Sequence, residues 1–250
     1  MKVRALFLDY DGTIAPLGVP RDESRVFRNV KRELRWIAPE IPVCVVTAKD
    51  FDFIWTRCRF ASGWACASGL DIRLADGRTS QTRPLRSLDR ALEVARSSER
   101  TGSFTELKRG PSKELLGVTI DWSRAPEGGG AIVRRLRALE KQGDLVAYDG
   151  HSTFADVYAA PPDKGRAVRA LKRLLSVKFG VMFIGDSVFD NSAFQEAEMA
   201  LGIDHGQPTS ELRCDYIVEQ RSLAGFLRSL RDRGMEFTPS LPWVRTGGGR

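Results

Sequence analysis

Histidine and cysteine are scarce in this chain. Only two histidines, His151 and His205, and four cysteines, Cys44, Cys58, Cys66 and Cys214, occur among 250 residues. No cysteines pair at CxxC spacing, and neither histidine stands at ligand spacing from a cysteine or carboxylate, which argues against a zinc site. Cys44 and Cys66 lie in apolar runs, where small buried thiols are common, so the cysteines read as reduced and structural, as in a cytoplasmic protein. Long apolar runs are also missing. None approaches the roughly 20 residues that cross a bilayer, so a membrane partner is not expected. The short apolar segment after Lys2 and Arg4 ends in Asp9 and Asp11, unlike the hydrophobic stretch of a signal peptide. There are no internal repeats.

What is abundant is arginine. The net charge is +7 and the pI about 9.5, with 42% hydrophobic and 28% charged residues. The arginines are scattered through amphipathic segments such as Arg134, Arg135 and Arg137 and are not interleaved with aromatics in one stripe. Nucleic acid is therefore not expected as a partner, and the charge favours a small anionic one. Nothing in the sequence sets an oligomeric state.

Residues 3–10 and 41–47 are short apolar runs bounded by turn residues, read as buried strands. Between them Val26, Val30, Leu34 and Ile37 recur at helical spacing, in a helix opened by Asp22 and stopped by Pro39. With a helix at 52–59 and a strand at 63–67, the rhythm is β-α-β-α-β, that of parallel strands covered by helices. The rhythm then breaks. Residues 72–79 carry a hairpin signal around Ala75-Asp76-Gly77-Arg78, residues 88–96 and 132–139 read as helices, and 115–122, 145–148 and 155–159 as strands. After Pro161-Pro162 the first rhythm returns, with helices at 164–175, 193–200 and 223–230 and strands at 181–184 and 216–218. The expected fold class is α/β: a Rossmann-like parallel sheet core, residues 1–70 and 161–238, with an inserted α+β cap domain, residues 71–160, and a flexible tail, residues 239–250.

The chemistry concentrates in Phe7-Leu8-Asp9-Tyr10-Asp11-Gly12-Thr13. Two carboxylates two positions apart end a buried strand, where parallel sheets bind ligands. The first can attack phosphorus and become an aspartyl phosphate. The second can protonate the leaving oxygen and then deprotonate water. Gly12 permits a sharp turn that offers backbone amides to a phosphate. A second acidic cluster, Gly185-Asp186-Ser187-Val188-Phe189-Asp190-Asn191, follows another apolar strand; Asp9 and Asp186 together offer the hard oxygen ligands that Mg²⁺ takes. Asn191 and Asp190 also suit a helix cap. Thr47 ends a strand, with its hydroxyl available to a phosphate oxygen. Lys164 opens a helix, a position the macrodipole disfavours for lysine unless an anion is near. His151 and His205 read as surface or turn residues, Trp122 as packing, and the aromatics of 51–55 as one buried helix face.

These four motifs, in this order, resemble the haloacid dehalogenase superfamily of phosphatases over the whole chain except its tail. The resemblance implies Asp9 as nucleophile and Asp11 as general acid and base. It implies Mg²⁺ held by Asp9, the backbone carbonyl of Asp11 and Asp186, with Asp190 supporting the shell. Gly12, Thr47, Ala48 and Lys164 would bind the phosphoryl group. The insert looks like the larger α+β cap of sugar-phosphate phosphatases. Leu8-Asp9-Tyr10-Asp11-Gly12-Thr13-Ile14-Ala15-Pro16 and Trp122-Ser123-Arg124-Ala125-Pro126 are most similar to trehalose-6-phosphate phosphatases, with Arg124 and Asp156 as cap contacts to the sugar. The chain departs from that pattern at Asp156 and Tyr158, where those enzymes carry glutamate and lysine, at Phe189, and at Thr47-Ala48-Lys49, which is closer to mannosyl-3-phosphoglycerate phosphatases. A phosphorylated small molecule is the expected partner. Alternatives with the same motifs are a sucrose-phosphate type phosphatase, a phosphomannomutase-like phosphotransferase, and a non-catalytic sugar-phosphate sensor.

Overall fold

A computed structural model describes residues 1–206 and 209–249. Two sheets organise the chain. The larger has nine strands in the order β13-β12-β11-β10-β1-β2-β3-β4-β5. Its strands are β1 (Ala5–Leu8), β2 (Val43–Val46), β3 (Gly63–Cys66), β4 (Asp71–Leu74), β5 (Thr79–Gln81), β10 (Val181–Gly185), β11 (Met199–Asp204), β12 (Tyr216–Glu219) and β13 (Val244–Thr246). From β12 to β3 all neighbours are parallel; β4, β5 and β13 are antiparallel additions at the edges. The smaller sheet, order β6-β7-β9-β8, is antiparallel throughout and comprises β6 (Phe104–Arg109), β7 (Leu115–Asp121), β8 (Leu145–Ala147) and β9 (Phe154–Tyr158).

The central strands are apolar on both sides because both faces of the large sheet are covered. Leu6 and Leu8 point into a core closed by α1 (Arg28–Ile37), α2 (Phe51–Arg57) and α7 (Leu223–Asp232). Ala5 and Phe7 point the other way, into a core closed by α5 (Lys164–Leu174) and α6 (Asn191–Glu196). In the smaller sheet the two faces differ in character. Val118, Ile120, Ala155 and Val157 pack beneath α3 (Asp89–Glu99) and α4 (Gly129–Lys141). The alternate residues Glu106, Lys108, Thr119 and Asp156 line the opposite face, which fronts the large sheet.

Several expectations are corrected. The hairpin 72–79 was expected in the cap, but β4 pairs with β3 and β5 with β4, which extends the core sheet, so the insert begins after Gln81. Cys66 and Asp71 form the last rung of that pairing, which the sequence pattern alone does not reveal. Nor is the tail loose, because Leu241 is buried and Val244–Thr246 pairs with Tyr216–Val218. Residues 193–200 were read as one helix. The helix ends at Glu196, and Met199 begins β11. The first helix starts at Arg28 rather than Asp22, after a loop in which Val26 is nonetheless buried. Strand β6 was not anticipated, since Phe-Thr-Glu-Leu-Lys-Arg alternates polar residues on its inward side. All four cysteines are buried and unpaired, and no helix of the described residues is long and apolar enough to cross a membrane.

Candidate active site

Strands β1 and β10 are adjacent and parallel, with Leu8 beside Ile184. Their carboxyl ends therefore deliver Asp9 and Asp186 to the same point. The Gly12 backbone turns there at φ +74°, and a Cβ on it would lie 2.0 Å from Asp186 Oδ2, so only glycine permits this approach. Thr13 Oγ1 donates to Asp186 Oδ1 at 3.1 Å, which fixes the turn against the second acidic cluster.

Lys164, the first residue of α5, is buried and bridges two carboxylates: Nζ donates to Asp9 Oδ1 at 2.8 Å and to Asp190 Oδ1 at 2.7 Å. Asp190 also accepts the backbone N–H groups of Asp186 and Ser187 at 3.0 and 3.1 Å. Burial pushes the Asp9 carboxyl well up; the Lys164 ammonium pulls it back, while Asp190 and Asp186 push it further. Asp190 is raised for the same first reason. Burial disfavours the Lys164 charge, but its two carboxylates outweigh that and raise it. The N-terminal position of this lysine is thus met by the protein's own anions.

Asp9, Asp186 and Asp190 each place an oxygen within 4.8 Å of the others. Three carboxylates face one ammonium, a deficit of positive charge that a divalent cation meets, and the all-oxygen donor set suits Mg²⁺. The Asp11 carboxyl turns away from this cluster toward Lys49, whose Nζ is 3.7 Å from Asp11 Oδ2. Burial raises Asp11, with Lys49 opposing it, and so favours the protonated form that an acid requires.

Lys49 also approaches Glu106 Oε2 of the smaller sheet at 3.8 Å, and Arg21 pairs with both Glu106 and Asp50. On that sheet Lys108 Nζ lies 3.2 Å from Asp156 Oδ1, Thr119 Oγ1 donates to the same oxygen at 2.5 Å, and Tyr158 OH donates to Asp156 Oδ2 at 3.0 Å. Ser68 Oγ of the core lies 2.9 Å from Tyr158 OH. A continuous polar chain therefore runs from Asp11 across the cleft into the insert.

No family model matches the chain. An uncharacterized glycosyl hydrolase of Mycobacterium tuberculosis is 24% identical over 240 residues, covering 86% of this chain and 18% of that protein. A probable trehalose-phosphate phosphatase of Arabidopsis thaliana is 26% identical over 208 residues, covering 76% of this chain and 56% of that protein. The chain thus spans less than two thirds of the length of these curated relatives. Among solved structures, the C-terminal domain of a trehalose-6-phosphate phosphatase from C. albicans superposes with a TM-score of 0.74 at 14% identity, over 93% of each chain. A phosphatase of the haloalkanoate superfamily from Bacteroides thetaiotaomicron superposes with a TM-score of 0.66 at 15% identity, over 94% of this chain and 96% of that one. The chain has the fold of the haloacid dehalogenase superfamily phosphatases.

Within that phosphatase fold, Asp9, Asp11, Gly12, Lys164, Asp186 and Asp190 converge. Thr47 is buried at the end of β2 and its Oγ1 accepts from Lys49 N at 3.2 Å; Ala48, half-buried, lies between these two. The cap of α2 is Asp50, which accepts from Phe53 N at 2.9 Å, so Thr47 has no capping role. Asp156 is on the insert's inward face, already bonded on both oxygens. Arg124 is exposed and outside the cluster, with no ion pair among the described residues. His205 is corrected: Nε2 lies 3.1 Å from Asp186 Oδ2, and that bond raises the ring's proton affinity against a smaller loss from burial. Asn191 ties the 211–213 segment to α6 and does not cap it. Glu106, Lys108, Lys49 and Arg21 were not singled out as site residues, because their pairing depends on the register of β6, which brings Glu106 to Lys49 and Arg21 of the core.

Proposed function

We propose that the chain is a Mg²⁺-dependent phosphoric monoester hydrolase acting on a phosphorylated sugar, with trehalose 6-phosphate favoured, through an aspartyl-phosphate on Asp9. The observation that carries this reading is the division of labour between two carboxylates two residues apart, Asp9 buried and Asp11 half-buried. Asp9 is held by Lys164 and faces the acidic cluster, whereas Asp11 is turned to Lys49 and kept protonatable. Asp9 attacks phosphorus, and the bond to the sugar oxygen breaks as Asp11 delivers its proton there. Asp11 then takes a proton from water, whose oxygen displaces Asp9 and releases inorganic phosphate. Bound by Asp9, Asp186 and the Asp11 carbonyl, with Asp190 behind them, Mg²⁺ would offset the carboxylate charge and polarise a phosphoryl oxygen. Thr47, Ala48, Gly12 and Lys164 are proposed to surround the phosphoryl group.

The sugar reading rests on the insert. Core residues that grip only phosphate cannot choose its ester, so choice falls to the polar face bearing Glu106, Lys108 and Asp156. The resemblance to trehalose-6-phosphate phosphatases supports that substrate. The test is a phosphate-release screen across sugar phosphates, with Mg²⁺ and with excess chelator. Release from a sugar phosphate that needs Mg²⁺ and disappears in Asp9→Asn is expected; release that survives either change would overturn the mechanism.

A further inference from the structure

The core carries a crevice apart from the acidic cluster. It lies between α1 and α2 and has a volume of about 540 Å³. Ala38 and Pro39 line it where the chain leaves α1 for β2, and Arg59 and Phe60 where it leaves α2 for β3. These links reach the amino ends of the strands, since Leu6 N donates to Pro42 O and Ser62 N to Val43 O. Asp9 and Thr47 stand at the opposite, carboxyl ends of β1 and β2. The crevice is therefore a separate place on the same core.

Four cations line it: Lys31 and Arg35 from α1, Arg57 at the end of α2, and Arg59 just beyond. Among the described residues no carboxylate lines it, and none of the four cations forms an ion pair. Arg57 is the clearest case. It is half-buried, and its donors go to neutral acceptors alone: Nε to Ser24 O at 2.8 Å, Nη1 to Phe53 O at 3.1 Å and Thr56 Oγ1 at 3.0 Å, and Nη2 to Arg21 O at 3.3 Å. Burial lowers its proton affinity, and the nearby Arg25 and Arg21 cations lower it further. Lys31 is close by. Burial pushes the Cys58 thiol up to about 12, and Lys31 and Arg57 both oppose that, so the two cations sit near one point. Like charges gathered in a concave site without a counter-charge repel one another, and a bound anion offsets that repulsion.

We propose that this crevice binds a small molecule carrying two or more linked phosphate groups. A single phosphate brings about two negative charges at neutral pH, fewer than the four cations match, and it fills little of the volume. A phosphate chain reaches both Lys31 and Arg35 on one wall and Arg57 and Arg59 on the other, where each guanidinium offers forked donors to phosphate oxygens. Phe60, half-buried, and Pro39 give an apolar surface beside the cations for a group attached to the chain. Inorganic polyphosphate and a nucleoside polyphosphate share this chemistry. The site stands whether or not the cleft hydrolyses a sugar phosphate.

The experiment is calorimetric titration of the full chain in excess chelator, with tripolyphosphate, inorganic phosphate, ATP and adenosine as probes. Chelation leaves the acidic cluster without a cation, so that it repels these anions and the crevice is read alone. The parent is compared with Arg35→Ala, Arg59→Ala and Arg28→Ala; Arg28 shares α1 and its charge but lies outside the crevice. Tripolyphosphate is expected to bind more tightly than inorganic phosphate. Its Kd should rise roughly tenfold in Arg35→Ala and in Arg59→Ala, each of which removes a charge-assisted contact, and stay put in Arg28→Ala. Arg35 and Arg59 are exposed, so both variants should keep the parent's thermal midpoint. ATP bound more tightly than tripolyphosphate, with adenosine unbound, supports a nucleoside polyphosphate; ATP bound no more tightly supports an inorganic chain. No binding of tripolyphosphate or ATP, or a Kd unmoved in both crevice variants, overturns the site. A Kd raised equally by Arg28→Ala overturns it too, as the mark of a diffuse surface field. Inorganic phosphate bound as tightly as tripolyphosphate overturns the polyphosphate class.

Discussion

Lys164 has two tasks that a single substitution separates. Its ammonium neutralises parts of Asp9 and Asp190 in a site with almost no solvent, so removing it leaves two buried carboxylates unpaired. Breaking such a pair by deleting one partner costs about 3–5 kcal/mol. Lys164→Met is therefore expected to lower the thermal midpoint markedly, and an unchanged melting curve would mean that the carboxylates find another cation. Asp9→Asn behaves differently. It keeps shape and removes a charge that burial opposes, so it should fold at least as well as the parent while losing nearly all turnover; phosphatase activity near the parent level in material free of host enzymes would sink Asp9 as nucleophile. These residues were legible in the sequence because each lies in a short string whose meaning is local: two carboxylates after a strand, a lysine at a helix start, an aspartate after another strand. Glu106 and Lys108 were not legible, because a glutamate and a lysine two apart on a polar segment read as solvated surface until the pairing of β6 turns them inward. His205 was missed for a similar reason, since it reaches Asp186 from a loop after an unrecognised strand.

At the scale of elements, β6 holds the two halves of the cleft together by charge. Burial pushes Glu106 up, but Lys108, Lys49 and Arg21 outweigh it and bring the carboxyl down to about 2 from an ordinary 4.5. A carboxylate depressed in the folded state stabilises at pH above its unfolded value, and the contribution is lost as pH falls through the folded one. The window is thus about pH 4.5 to 2, and the contribution on the order of 3 kcal/mol. Glu106→Gln should flatten the acid limb of a stability-versus-pH curve in that window; a limb identical to the parent's would remove Glu106 as the group responsible. The elements themselves were read well where the apolar run was long or regular, as in β1, β2, β7 and α5. They were misread where a short apolar run fits either period: Ala197–Leu201 continues the helical pattern of α6 by composition, and only its pairing with β10 makes it a strand. The hairpin β4–β5 was recognised as a hairpin and assigned to the wrong sheet, since a turn signal says nothing about which sheet its strands join. β13 pairs over three residues, too few to register in a pattern.

For the whole molecule, the acidic cluster and the positive surface pull in opposite directions. Asp9, Asp186 and Asp190 need a cation to coexist with a phosphate dianion, so activity is expected to vanish in excess chelator and return with Mg²⁺. Asp186→Ala should shift the Mg²⁺ titration to higher concentration or abolish activity, and an identical titration would remove Asp186 as a ligand. The surface cations act at longer range. Arg28, Lys31, Arg32 and Arg35 share the outer side of α1, and with a net charge of +7 they add attraction for anionic substrates that salt screens within about 10 Å at 0.1 M. Charge was the whole-molecule property most visible in the sequence.

The split sheet has a consequence for how the protein comes into being. The partner of Asp9 is a lysine 155 residues further along, and the strand beside β1 follows later still. A ribosome adding about 5–20 residues per second exposes Asp9 roughly 8 to 31 s before the ammonium that will hold it. During that interval β1 can pair with β2 on one side only, leaving its other edge unpaired in the nascent chain. Completion of the acidic cluster is thereby tied to translation of the second half of the core, so a transcript truncated within the insert yields a polypeptide that carries the aspartate pair but neither Lys164 nor Asp186.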